Sequence, residues 1–223
     1  MSANAGEQAE GTGRPSARVS LGRLSRLYLS LCAVVGLVTP VVAVLTLYSP
    51  LATFRGDIFN GYISGFSYEL TILGVRAHYP PLDSVNTISR VYLLLATLST
   101  LTSLLGFWGV VKGLRVWLGL AAVAPLATAM LVSLLYSITR VTCLDIIPVI
   151  PSTLTAPAVG GRVYLEQPVI EYGWACSLAR EPLIPLVVIL VAVLLSIGAL
   201  LTLARWATQA RETGGQDGVV ERG

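Results

Sequence analysis

The chain has 223 residues, of which 54% are hydrophobic and 12% charged. A soluble domain carries roughly 25% charged residues, so this chain lacks the polar surface to meet water on every side. Its formal net charge of +3 is scattered along the sequence and offers no basic face for nucleic acid.

The first 26 residues are polar. Met1–Pro15 is rich in Gly, Ala, Ser and Glu and is expected to be unstructured. From Ser16 to Leu27, Leu21, Leu24 and Leu27 alternate with Arg18, Arg23 and Arg26. That pattern suits a short interfacial helix or a simple topology determinant. Four apolar runs then follow at 27–49, 91–111, 117–138 and 183–204, each without a charged side chain. About 20 helical residues span roughly 30 Å, the thickness of a hydrocarbon core. The runs predict a four-helix transmembrane bundle over 27–204, closed by a polar, unstructured tail at 205–223. The first run exceeds the usual length of a signal-peptide core and no small-residue cleavage site follows it, so it reads as a retained anchor. Trp108, Trp117 and Trp206 fall with Tyr28 at one expected interface, and Tyr48, Tyr92 and Tyr136 near the other.

Arg14, Arg18, Arg23 and Arg26 precede the first run, Lys112 and Arg115 lie between the second and third, and Arg205 and Arg211 follow the fourth. The positive-inside rule therefore predicts a multi-pass protein of the cell membrane with both termini cytoplasmic. The loops 50–89 and 139–182 would then face outward.

In the first outer loop, Tyr62, Phe66, Tyr68, Leu70 and Ile72 alternate with Ser67, Glu69 and Thr71, which predicts a strand from Tyr62 to Gly74. In the second, Arg162–Ile170 is a further strand candidate, and the Pro-rich stretch Pro148–Pro157 is expected to resist regular structure. An isolated hairpin is marginal, so strands from both loops are expected to pair into one small β-rich cap over an otherwise all-α membrane protein. Cys143 and Cys176 flank the irregular part of the second loop. A disulfide or two free thiols both fit the sequence; an oxidising compartment favours the bridge, which would contribute roughly 3–4 kcal/mol. Cys32 reads as a small buried residue.

Helices in lipid associate through close packing and interhelical hydrogen bonds. Ala96, Ser99, Thr100, Ser103 and Gly106 share one face of the second helix and form the expected packing seam. Gly119, Ala122 and Ala129 on the third, and Ala192, Ser196 and Ala199 on the fourth, offer matching small surfaces. The layout is similar in outline to that of claudins and tetraspanins. The first-loop Gly-Leu-Trp with two cysteines and the Cys-Cys-Gly of those families are both missing from this sequence, and nothing is carried over.

The four runs hold no charged residue of the kind that proton relays and coupled transporters retain at the bilayer centre. The single His, His78, stands beside Tyr79-Pro80-Pro81 and reads as a surface or packing residue, too few for a metal site or a haem. No C-x-x-C, P-loop, dinucleotide fingerprint or nucleophile elbow occurs. Glu166 and Glu171 on one strand would point to opposite faces and read as solvated charges. No catalytic residue, cofactor, metal or small-molecule substrate is therefore expected. The expected role is a membrane scaffold or accessory subunit that presents its cap to a protein partner or self-associates, with Phe59, Tyr62, Phe66 and Tyr68 as the candidate surface. The alternative is a transport or channel subunit that forms a homo-oligomer through the Ser/Thr face of the second helix.

Overall fold

The computed structural model describes residues 22–155 and 168–220. Expectations for the segment before Gly22, for most of the strand candidate Arg162–Ile170 and for Glu166 lie outside the described residues. In chain order the elements are α1 (Arg23–Tyr48), β1 (Ala52–Arg55), β2 (Phe59–Ile63), β3 (Tyr68–Ile72), β4 (Val75–Arg76), α2 (Pro80–Lys112), α3 (Arg115–Arg140), α4 (Ile150–Thr155), β5 (Val169–Tyr172), α5 (Trp174–Arg180) and α6 (Leu183–Val220). A π turn, Val141–Ile146, and a 3₁₀ turn, Ile147–Val149, join α3 to α4.

Four helices are long and apolar enough to cross a membrane, at Arg23–Tyr48, Pro80–Lys112, Val116–Thr153 and Leu183–Thr208. The second begins eleven residues before the apolar run that predicted it, at Pro80-Pro81. Proline suits a first helical turn because its missing N–H would have no partner there. The 33 residues of α2 extend roughly 50 Å, well beyond the about 30 Å of a hydrocarbon core. The third helix also overruns its apolar run. The stretch Pro148–Pro157, expected to be irregular, is helical through Thr155, because Pro148 and Pro151 each fall in the first turn of a new segment. The fourth runs on to Val220, through most of the segment read from the sequence as an unstructured tail. Once a helix is nucleated, each further residue adds a hydrogen bond at little cost.

Helix α2 is the hub. Leu82, Val85, Ser89, Tyr92, Ala96, Ser99, Ser103 and Gly106 are all buried, and they alternate at steps of three and four along the chain. That 3.5-residue period is the seam of helices packed side by side. Four of the five expected seam residues lie on it; Thr100 is half-buried and donates to the Ala96 carbonyl at 2.8 Å. A Cβ on Gly36 of α1 would fall onto the Ser103 hydroxyl. A Cβ on Gly106 would lie 2.6 Å from the Ala121 nitrogen and 2.8 Å from its Cα. Gly113, in the left-handed region at φ 69°, closes α2 and turns the chain into α3. Helix α6 packs chiefly on α3 through Ala192, Ser196 and Ala199, with the Ser196 hydroxyl donating to the Ala122 carbonyl at 2.9 Å. Tyr92, expected at an interface, is fully buried in this core.

The five strands form one antiparallel sheet in the order β4-β3-β2-β1-β5. Both connections contribute, since β5 of the second pairs with β1 of the first from Ala52↔Tyr172 to Arg55↔Val169. The strand predicted over Tyr62–Gly74 is instead a hairpin. Ser64 and Ser67 close its turn through reciprocal hydrogen bonds, and the Gly65 amide donates to the Leu47 carbonyl at 2.8 Å. Beneath the sheet, Phe54, Phe59, Ile63 and Leu70 pack on Leu82 of α2, on Ile147 and Ile150, and on Ala175 and Ala179 of α5. Cys143 in the π turn and Cys176 in α5 are joined by a disulfide across this core, Cα to Cα 5.5 Å.

The bridge closes 33 residues, so Cys143→Ser with Cys176→Ser is expected to lower stability by roughly 3–4 kcal/mol, read as an earlier melt of the detergent-solubilised protein. An unchanged melt would show that the bridge braces nothing. In the seam, Gly106→Val should cost about 1–3 kcal/mol by overpacking against backbone. The hydroxyls of Ser89, Tyr92, Ser99 and Ser103 are buried with no partner among the described residues, so Ser103→Ala should be neutral or stabilising by up to about 1 kcal/mol. A strong loss from Ser103→Ala in the same assay would contradict the packing role.

Candidate functional site

The sheet has two chemically distinct faces because its side chains alternate. Ala52, Phe54, Phe59, Ile63, Leu70 and Ile170 point toward the helices. Thr53, Arg55, Asn60, Tyr62, Glu69, Thr71 and Glu171 occupy the intervening positions of the opposite, outer face. There Arg55 pairs with Glu171 at 3.4 Å, Arg76 pairs with Glu69 at 3.0 Å, and the Thr53 hydroxyl donates to Glu171 at 3.3 Å. Exposed pairs of this kind stabilise by about 0–1 kcal/mol at most; their effect is to fix where the charges stand. Beside the second pair, Tyr62, Glu69 and Arg76 line a recess of about 170 Å³ together with Tyr68, Leu70 and Ala77, which belong to the inner side of the sheet.

The four aromatics expected to form one partner surface are split between different places. Phe59 is only 2% exposed and stacks edge-on against Phe54 at 5.1 Å between ring centres, inside the core. Phe66 sits in the turn, 4.5 Å from the Tyr48 ring, against the helix bundle. Tyr68 is on the inner face. Tyr62 alone, 39% exposed, reaches the outer face. The cause is the hairpin. Reading Tyr62–Gly74 as one strand puts Tyr62 and Tyr68 on the same side, whereas the turn pairs Tyr62 with Glu69 and Ile63 with Tyr68, so the two tyrosines end on opposite faces.

Tyr68 instead anchors a polar clip that the sequence reading missed. Its hydroxyl donates to Asp83 Oδ1 at 3.0 Å and accepts from the Tyr79 amide at 3.3 Å, with His78 Nδ1 at 3.2 Å. His78 Nε2 lies 3.2 Å from Asp83 Oδ2. With its one proton given to the carboxylate, the phenol has two lone pairs for the amide and the imidazole. A doubly protonated ring serves Tyr68 and Asp83 together, and a neutral ring serves one of them. The available sequence signal was the tight turn at Leu73-Gly74. Both residues adopt positive φ, 51° and 77°, the geometry of a two-residue hairpin loop, and that turn places Tyr68 opposite Tyr79. The clip ties β3 and β4 to the first turn of α2, where the Asp83 charge also faces the positive end of the helix dipole. Among the described residues no three His, Cys, Asp or Glu side chains converge as metal ligands. Glu171 is engaged with Arg55.

Burial pushes the Tyr68 phenol above its ordinary value; the Tyr79 amide opposes the shift and the Asp83 carboxylate adds to it. A group whose folded value is raised stabilises fully below its unfolded value, near 10, and the stabilisation is lost as pH rises through the folded value. Tyr68→Phe should therefore cost about 1–2 kcal/mol at neutral pH and flatten the fall in melting temperature above pH 10. A melt identical to that of the parent protein at both neutral and alkaline pH would remove the clip from the account.

The outer sheet face and this clip are the constellations from which a function can be argued, since no protein-family model, curated protein or solved structure matches the chain.

Proposed function

We propose that the chain is a multi-pass membrane scaffold or accessory subunit, which holds the sheet on the extracytoplasmic side and presents its outer face to another protein. One observation carries this reading. The inner face of the sheet is committed to its own core, and the outer face holds Tyr62 in a shallow recess bounded by the Arg76–Glu69 pair. Tyrosine and arginine dominate the strong points of protein interfaces, and a polar face of this composition suits a wet, reversible contact. The four long apolar helices supply the membrane anchor. Arg23, Arg26, Lys112 and Arg205 lie toward the end of the bundle away from the sheet, which by the positive-inside rule supports cytoplasmic termini. The disulfide supports an oxidising compartment around the sheet.

A channel built between copies through the hydroxyl face of α2 gains no support, because that face is buried inside the chain against α1 and α3. Nor do Phe66 and Tyr68 make useful test positions, since both hold the fold together.

Tyr62→Ala combined with Arg76→Ala should reduce recovery of the native partner about tenfold or more in mild-detergent purification, with the melt and the disulfide unchanged. Full recovery with the double variant would sink the outer face as the partner surface. A chain that stays folded and monomeric in buffer without amphiphile would sink the membrane reading itself.

A further inference from the structure

The helices α1 and α6 diverge toward the sheet. Near the opposite end they touch, where the Tyr28 hydroxyl donates to the Leu195 carbonyl at 2.8 Å. Toward the sheet a crevice of about 290 Å³ opens between them, with α3 as its floor and α5 as its roof. Its polar groups are withdrawn from it. The Thr39, Thr46 and Thr139 hydroxyls donate to the carbonyls of Val35, Val42 and Leu135 at 2.9, 2.8 and 2.9 Å, so these threonines offer no free hydroxyl proton to a ligand. The rim is different. Tyr136 and Trp174 line it, and the Arg140 guanidinium lies 6.0 Å from the Tyr136 ring. Arg140 is exposed and meets no carboxylate among the described residues. An apolar slot lined by two interface-seeking aromatics, with an unneutralised guanidinium standing over the Tyr136 ring beside it, matches an amphiphile with a negatively charged head. The wider groove between α2 and α3, about 450 Å³, has no charged or aromatic lining residue, so nothing in it selects one apolar molecule over another.

We propose that the crevice holds one acyl chain of an anionic phospholipid from the leaflet on the sheet side, with its phosphate at Arg140. The proposal goes beyond the scaffold role but rests on the membrane reading. Guanidinium and phosphate match in charge and in hydrogen-bonding geometry. The π turn that begins at Val141 follows Arg140 directly and leads to the bridged Cys143. A seated lipid would therefore bear on the segment that carries the sheet.

The test is native mass spectrometry of the full chain released from nanodiscs containing equal parts phosphatidylglycerol and phosphatidylcholine. One retained phosphatidylglycerol per chain is expected. Val42→Phe with Val188→Phe, two exposed wall positions, should abolish retention, whereas Leu194→Phe on the exposed side of α6 should leave it intact. Arg140→Gln, which touches no core, should weaken retention about fivefold, with Arg140→Lys restoring part of it. Retention unaffected by both the filled crevice and Arg140→Gln would overturn the proposal. So would equal retention of the two lipids, or a fatty acid or detergent in their place. Should the filled variant fail to form its disulfide, the Arg140 pair decides alone. A chain that folds in micelles and keeps no lipid refutes the crevice only, whereas a chain folded without amphiphile refutes the membrane reading as well.

Discussion

The close approach of α2 to α1 and α3 is the contact on which the rest of the molecule depends. Helices that share an apolar solvent gain nothing from burying more apolar surface, so they are held by dispersion contacts that act only at short range. Gly36, Ala96, Ser99, Ser103 and Gly106 permit that range because none carries more than one heavy atom beyond Cβ. The hydroxyls on this line have a cost, since buried polar groups without partners destabilise. Their burial shows that the stripe is used for its small volume rather than for its polarity.

From that seam the architecture rises in order. Because α2 and α3 are joined by a short turn at one end and approach closely at Gly106 and Gly109, their opposite ends project together as a pedestal. The sheet rests on that pedestal. Its inner residues bury against Leu82, Ile147 and Ile150, and the disulfide fixes α5 to the π turn from the side. The outer face is left free of structural duty except for ion pairs too exposed to stabilise much. The bundle and the sheet therefore have separate cores and separate jobs. One core joins the four long apolar helices, and the other sets the shape of a polar surface.

Much of this was readable from local patterns. The length of the apolar runs predicted the helices, and the spacing of small residues predicted the seam at Ala96, Ser99, Ser103 and Gly106. The pairing of strands from both connections, and the joining of Cys143 to Cys176, followed from the weakness of isolated hairpins and the placement of the cysteines. The errors have specific causes. Periodicity continued across the Ser64–Ser67 turn, which disguised two strands as one and put Tyr68 on the wrong face. Aromatic character was taken for exposure at Phe59, although a sheet with one covered face buries its largest side chains first. Prolines at 148 and 151 read as breakers when each sits at the start of a helical segment, where it is tolerated.

The amino-acid sequence by itself determined how many helices could lie in an apolar layer and which of their faces could pack closely. Both depend on residue volume and hydropathy along a single element with a fixed period. Only the tertiary structure decided which side chains share a site. The meeting of Tyr68, His78 and Asp83, the isolation of Tyr62 between ion pairs, and the crevice beneath α5 all depend on hairpin register and helix divergence. Those are set by contacts between segments far apart in the chain, and a shift of one residue in register moves every side chain of a strand to its other face.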